Sequence, residues 1–408
     1  MGPSGFSRVA AQAFRKSSVK VLHIIPSVSP VRGGPSKAVI DMVGALIEQG
    51  VDASIVTTND DGANELNVPL SSPTQYQGVP VMFFKRWSPM VHALREFAFS
   101  NAYRVWLKEN IRNYDLVHIH AIFSFTSSYA MYLARKHNIP YVIRPIGQLE
   151  TWSLQQSKWR KRAFLSLFER KNLSRAQAIH YTAESEKKQA NLNVTTLNPD
   201  QAHVIPLGVH SPMDMKFSKS DFRKKYQLDN NTTVFLFLSR IHPKKGLELL
   251  IDAFGCIEDQ SWTLLIAGDG SPAYLNSLKQ RIKDVGLSER CKFTGFVEGE
   301  EKDQLMQCAD FYTLTSYSEN FGIAVLEALG AGTPVIITKE VALSEQVATH
   351  KLGYVCDLSI ESVKGALTKA LSNNTRDLAD TSKFVEQNYS WHSISQKLID
   401  LYCAISKN

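Results

Sequence analysis

The sequence predicts an α/β fold in two domains, each built on a parallel sheet, and three observations carry that prediction. Short apolar runs rich in β-branched and aromatic residues alternate with longer amphipathic segments, the pattern of strands covered by helices on both faces. The alternation breaks at Pro206-Leu207-Gly208-Val209 and then restarts. The segments holding clustered charges and glycines follow strands directly, where open parallel sheets bind their ligands.

In the first half, strands are expected at 21–25, 53–57, 81–84, 116–119, 141–143 and 178–181. Helices are expected at 35–49, 92–110, 125–137 and 157–173, with Gly50 and Pro140 as stop signals. In the second half, strands are expected at 234–238, 263–267, 291–293, 311–314 and 334–337. Their helices are placed at 246–254, 273–285, 300–308, 321–329 and 360–371. The boundary is expected near 207–217, giving a first domain over 20–209 and a second over 210–387. Residues 1–19 read as an extension or tag remnant and carry no fold expectation.

A chain of 408 residues is too long for one core. Its 44% hydrophobic and 21% charged residues are those of a globular protein. No run of eighteen apolar residues exists, and the N-terminus lacks the apolar core of a signal peptide, so a cytoplasmic protein is expected. Five scattered cysteines (Cys256, Cys291, Cys308, Cys356, Cys403) fit buried structural thiols rather than a disulfide framework or a zinc site. Charge is uneven. Residues 1–210 hold 24 Lys and Arg against 14 Asp and Glu, whereas 211–408 hold 22 against 25. Only the first half is therefore expected to meet an anionic partner. No nucleic-acid-binding signature accompanies the charge, which favours a membrane surface or an anionic acceptor.

Residues 316–334 read Ser-Tyr-Ser-Glu-Asn-Phe-Gly-Ile-Ala-Val-Leu-Glu-Ala-Leu-Gly-Ala-Gly-Thr-Pro. Glu319 and Glu327 stand eight positions apart, a little over two helical turns. A helix begun at Asn320 would present the backbone N–H groups of Asn320, Phe321 and Gly322 to an anion, with Gly322 allowing close approach. An anion site beside two carboxylates that accept hydroxyls suits a nucleotide-sugar.

This segment resembles the donor-site signature of the retaining glycosyltransferases of the GT-B fold, and in particular family 4. Upstream, Ser239-Arg240-Ile241-His242-Pro243-Lys244-Lys245-Gly246 resembles that family's diphosphate loop, Arg32-Gly33-Gly34-Pro35-Ser36 its glycine loop, and Asp115-Leu116-Val117-His118-Ile119-His120 its Asp-x-x-His-x-His strand end. The resemblance implies two facing Rossmann-like domains with the ligand between them, and a C-terminal helix (388–408) that crosses back onto the first domain. It implies that Arg240 and Lys245 stabilise the leaving diphosphate, where fixed cations lower the barrier most. Gly33 and Gly34 would bring backbone N–H groups to the phosphates and sugar. Glu327 would accept the ribose hydroxyls and Glu319 the hydroxyls of the sugar ring. His120 would reach the donor sugar, while His118 is expected to face away as a packed or hydrogen-bonded histidine. A metal on this histidine pair is not expected, because no acidic cluster joins it. Phe296 and Val297, after Gly295, are the expected base-recognition loop. Arg144 could hold an anionic group of acceptor or donor, or form a salt bridge. Glu184 is expected to start a helix rather than do chemistry.

No Asp-x-Asp motif is present, so no metal and no other cofactor is expected. The implied function is transfer of a hexose, glucose from UDP-glucose as the first choice, to a saccharide or lipid-linked acceptor in surface polysaccharide synthesis. GDP-mannose and UDP-GlcNAc enzymes share these motifs. A nucleotide-sugar 2-epimerase and a non-catalytic sugar-nucleotide-binding relative are the alternatives. Between Lys158 and Arg175, seven basic residues interleave with Trp159, Phe164, Leu165, Leu167, Phe168 and Leu173. This reads either as a helix lying on an anionic membrane or as an ordinary surface helix packing its apolar side on the sheet.

Overall fold

The computed structural model describes residues 19–156, 158–195, 197–210, 217–258, 261–319, 321–372 and 378–406. The chain forms two compact units. One comprises the chain up to Gly208 together with Trp391 onward, and the other runs from Val209 to Ser390. Residues 388–390, expected with the returning helix, lie in the second unit.

The first unit holds β1 (Lys20–Ile24), β2 (Asp52–Thr58), β3 (Asp60–Asp61), β4 (Asn64–Glu65), β5 (Pro73–Tyr76), β6 (Val79–Phe84), β7 (Leu116–His120), β8 (Tyr141–Arg144), β9 (Ala178–Tyr181) and β10 (Ala202–Val204). Eight of these form one sheet in the order β10-β9-β8-β7-β1-β2-β6-β5, while β3 and β4 pair separately. The sheet is parallel except for β5, which runs antiparallel to β6 and caps one edge. The sequence reading missed this hairpin, because Pro73-Thr74-Gln75-Tyr76 is too polar to read as a buried strand. Leu22, Ile24, Val117, Ile119 and Ile143 are fully buried, as strands covered on both faces require.

Helix ends follow local chemistry. Ser124 accepts the N–H of Ser127 to cap Phe125–His137, and Asn138 closes it in the left-handed conformation at φ 56°. The helix expected at 92–110 is two helices, His92–Glu96 and Asn101–Asn110. Ala98 takes φ 53° between them and Ser100 caps the second. Aromatic packing drives the break, since Phe97 and Phe99 both turn onto Phe125. The helix expected at 157–173 starts at Lys158 among the described residues and is interrupted by a π-turn, Leu165–Glu169, before continuing as Arg170–Ser174.

The C-terminal helix, Trp391–Ser406, packs on Gly34–Glu48 within the first unit. Gln49 Nε2 donates to the carbonyl of His392 at 2.9 Å. Gly208 lies so close beneath the Trp391 indole that a Cβ there would collide with the ring.

The second unit holds β11 (Thr233–Leu238), β12 (Trp262–Ala267), β13 (Cys291–Gly295), β14 (Phe311–Leu314), β15 (Val335–Thr338) and β16 (Gly353–Cys356), all parallel, in the order β13-β12-β11-β14-β15-β16. β16 and the helices Lys219–Lys225, Ser344–Thr349 and Thr381–Tyr389 were not expected. Cys291, Cys308, Cys356 and Cys403 are buried thiols, and burial lifts Cys291 and Cys356 to about 12. Cys256 departs from the expectation, because it follows the last turn of Leu247–Gly255 and is exposed.

Candidate active site

Among its parallel strands each sheet reverses strand order once, and the charged motifs lie at those reversals. In the second unit β11 and β14 are neighbours from which the sheet grows in opposite directions. Such a switch point opens a crevice at the carboxyl ends of the strands. The turn Pro243–Lys245 follows β11, with the His242 imidazole accepting the Lys244 N–H at 3.1 Å. Gly246 then takes φ 64° against the carbonyl of Thr315, a position no side chain could occupy. The β14 turn clamps this loop. Thr315 Oγ1 donates to the Gly246 carbonyl at 2.7 Å, and the Ser316 hydroxyl and Tyr317 N–H donate to the Lys244 carbonyl at 3.0 and 2.9 Å.

That clamp sets Lys245 beside Glu319, and the two form an ion pair with both side chains largely buried. The Glu319 backbone is tied to the turn after β15: its N–H donates to the Glu340 carbonyl at 3.1 Å and its carbonyl accepts from Ala342 at 3.3 Å. Glu327 lies on the helix Ile323–Gly330 and is paired with Lys302 of Gly299–Cys308, Nζ to Oε1 2.6 Å. Lys302 was missed from sequence. Arg240 is exposed and forms no ion pair among the described residues. Phe296 presents 69% of its surface, whereas Val297 is buried.

One sequence expectation is corrected. The helix carrying Glu327 begins at Ile323 rather than Asn320, because Gly322 takes φ 83°, outside helical geometry. Its first-turn N–H groups are therefore those of Ile323 and Ala324. Phe321 is buried, and Asn320 lies outside the described residues.

In the first unit the switch point lies between β1 and β7. Gly33 caps Gly34–Glu48 at φ 77°, and the space beside its Cα is empty to 4 Å, as backbone approach by a ligand requires. Arg32 anchors this loop through Asp60 at 2.6 Å and Glu96 at 2.8 Å.

At the end of β7, His118 and His120 stack with ring centroids 4.3 Å apart. His118 therefore does not face away. Residues two apart on a strand share a face, and the expectation of opposed faces was an error of period. Both rings are fully buried with His23 of β1 and His180 of β9. The hydrogen bonds fix the tautomers. His180 Nε2 must donate to the Ile205 carbonyl at 2.7 Å, so its Nδ1 accepts from His118 Nε2 at 3.4 Å. His118 Nδ1 then accepts the Tyr402 hydroxyl at 2.7 Å. Arg144 can only donate, so His120 Nδ1 accepts at 3.4 Å and His120 Nε2 donates to His23 Nδ1 at 3.0 Å. Burial first, with Arg144 second, holds His23 and His180 down at about 3, and burial first, with the neighbouring histidines second, pushes His118 and His120 well below their ordinary value. All four are neutral.

His23, His118 and His120 offer nitrogens within 4.8 Å of one another, the spacing of a metal triad. The surroundings oppose a cation, because the Arg144 guanidinium abuts His120 and both His118 nitrogens are engaged. Glu184 begins the helix Glu184–Asn193. It is Glu186 that is buried, accepting from Gly147 N–H at 2.6 Å and from Thr182 N–H and Oγ1 at 2.8 and 2.9 Å.

Two α/β units with parallel sheets and charged strand-end turns define a GT-B architecture. The structure aligns with that of Anabaena HepE in complex with UDP-glucose at a TM-score of 0.71, 20% identity, over 93% of this chain and 98% of that one. Residues 33–208 match the family described as glycosyl transferase 4-like domain, and residues 218–391 match glycosyl transferases group 1. The chain belongs to this glycosyltransferase family. An uncharacterized glycosyltransferase of Methanocaldococcus jannaschii is 29% identical over 231 residues, 54% of this chain and 58% of that protein. The GDP-mannose-dependent alpha-(1-6)-phosphatidylinositol monomannoside mannosyltransferase of Mycobacterium tuberculosis is 30% identical over 196 residues, 45% of this chain and 50% of that protein. The chain thus spans about half the length of the curated relatives it matches.

Proposed function

We propose that this protein is a retaining glycosyltransferase that moves a hexose, glucose from UDP-glucose as first choice, to a saccharide or lipid-linked acceptor in surface polysaccharide synthesis. The observation that carries this reading is the Lys245–Glu319 pair at the switch point of the second sheet, with Glu327 nearby in sequence. Arg240 and Lys245 stabilise the charge that develops on the departing diphosphate. Glu319 accepts hydroxyls of the transferred sugar and Glu327 those of the ribose. Phe296 offers an exposed ring against which a base can stack. Gly33 and Gly34 lend backbone N–H groups from the first unit. His120 contacts the sugar once a hydroxyl displaces the long Arg144 contact at its Nδ1. The cations already supplied, with no Asp-x-Asp motif, make metal unnecessary.

An acceptor held at a membrane suits the surface of the first unit. None of the described helices is long and apolar enough to cross a bilayer. Around the π-turn, however, Trp159, Leu167 and Phe168 are 80%, 74% and 57% exposed, amid Lys158, Arg160, Arg162, Arg170 and Lys171. The extra residue of a π-turn shifts the helix register. Glu169, Asn172 and Leu173 face inward while Leu167 and Phe168 face out.

The test is a panel of UDP-, GDP- and ADP-sugars assayed for nucleotide release with and without saccharide and lipid-linked acceptors. Acceptor-dependent release of UDP from UDP-glucose is expected, with the anomeric configuration kept in the product. Epimerised sugar-nucleotide without acceptor, or no turnover of any donor, would overturn the reading.

A further inference from the structure

Arg144 is a buried cation that forms no ion pair among the described residues. It ends β8, the residue is 1% exposed, and its register neighbour on β7 is His120. The one hydrogen bond of its side chain among the described residues is the 3.4 Å contact to the neutral His120, and its Nε has no partner. Glu186 acts on it only at a distance, because that carboxylate is committed to Gly147 and Thr182. Burial lowers the guanidinium to about 10, and Glu186 and Tyr402 offset this only in part. A charge removed from water without a partner is costly, and folds keep such a charge where a ligand completes it. The chain around it is also strained. Ile146, a β-branched residue, takes φ 56°, and Ala121 and Phe123 after His120 take 68° and 60°.

We propose that Arg144 is the cation of an anion-binding site in the first unit, taking a phosphate or carboxylate group of a substrate beside His120. That the anion belongs to a substrate rests on the glycosyltransferase reading. That a site exists does not. A planar fork of donors suits either oxyanion. The anion could be carried by the acceptor or be the donor's own diphosphate.

The experiment uses the full chain with Arg144→Met and Arg144→Gln, the latter keeping an N–H donor for His120. In an Arg240→Ala, Lys245→Ala background, which removes the second unit's cations, thermal unfolding is followed in inorganic phosphate and in chloride of equal ionic strength. In chloride, both Arg144 variants should melt higher than the parent by about 2 °C or more, since they remove an uncompensated charge. Phosphate should raise the Tm of the parent and leave both variants unmoved. Lower melting in both variants, with equal phosphate protection, would make Arg144 structural and end the proposal. With Arg240 and Lys245 intact, calorimetry of UDP then identifies the source. Unchanged UDP binding in Arg144→Gln assigns the anion to the acceptor, and binding lost tenfold or more assigns it to the donor. If no donor is turned over by wild type, the transferase reading fails while the phosphate result stands by itself.

Discussion

Lys302 Nζ lies 2.6 Å from Glu327 Oε1, joining two helices of the second unit at a pair whose side chains are each 23% exposed. The carboxylate proposed to hold the ribose is thus aimed by a lysine. Lys302→Ala should weaken UDP binding about 3- to 10-fold with little change in kcat, because ribose hydroxyls gain no charge during transfer. Glu327→Ala should weaken it at least as much, and the double variant should add little more. Fully additive losses by calorimetry would show that the pair does not act as a unit.

Lys245→Ala and Arg240→Ala should each lower kcat by about 10² or more, with a smaller effect on donor affinity. The gain from these cations is largest as the leaving diphosphate acquires charge. Turnover equal to wild type in both variants would remove them from the chemistry.

Turnover should persist in EDTA, since the proposed leaving-group stabilisation comes from side chains alone. Loss of activity that Mg²⁺ or Mn²⁺ restores would refute this.

The first unit should lose stability in mild acid. Its four buried histidines are neutral when folded, with His23 and His180 held at about 3, whereas the unfolded chain protonates near the ordinary 6.5. The depressed folded value means that the unfolded state binds more protons below about pH 6.5, so stability is full above that pH and falls below it. The limiting slope is roughly 1.4 kcal/mol per pH unit for each histidine. Urea midpoints followed by first-unit fluorescence should drop between about pH 7.5 and 5.5, above the range in which most carboxylates titrate. A flat midpoint across that window would contradict the neutral assignment.

Vesicle sedimentation tests the exposed basic and aromatic surface. Each cation near an anionic bilayer contributes roughly 1 kcal/mol. Salt shortens the Debye length and weakens that attraction. Binding to anionic vesicles at low salt, release at high salt and little binding to neutral vesicles are expected. Trp159→Ala with Phe168→Ala should reduce what remains. Equal and negligible binding to both vesicle types would rule out the membrane.

Much of the fold was legible because buried parallel strands leave uninterrupted apolar runs, and most strand ends fell within two residues of expectation. The two motifs that the structure joins through Lys245 and Glu319 were legible because each is contiguous in sequence. What remained hidden depends on partners distant in the chain. Tyr402 meets His118 across 284 positions, and nothing local to either residue announces the other. His23 left a faint signal, a lone polar residue inside an apolar strand, which burial on both faces makes expensive unless it is bonded. The π-turn left none, and its buried Glu169 accepts from Ser128, 41 positions away in the chain. The β5 hairpin was lost to its own polarity.

The return of Trp391–Ser406 to the first unit also sets an order of assembly during synthesis. All residues of the second unit, 209–390, are made before the last helix of the unit begun first. Until that helix arrives, Tyr402 cannot donate to His118, nor can Trp391 cover Gly208. The part of the chain made first is therefore the part finished last, because the first unit cannot be sealed until residues 391–406 have left the ribosome.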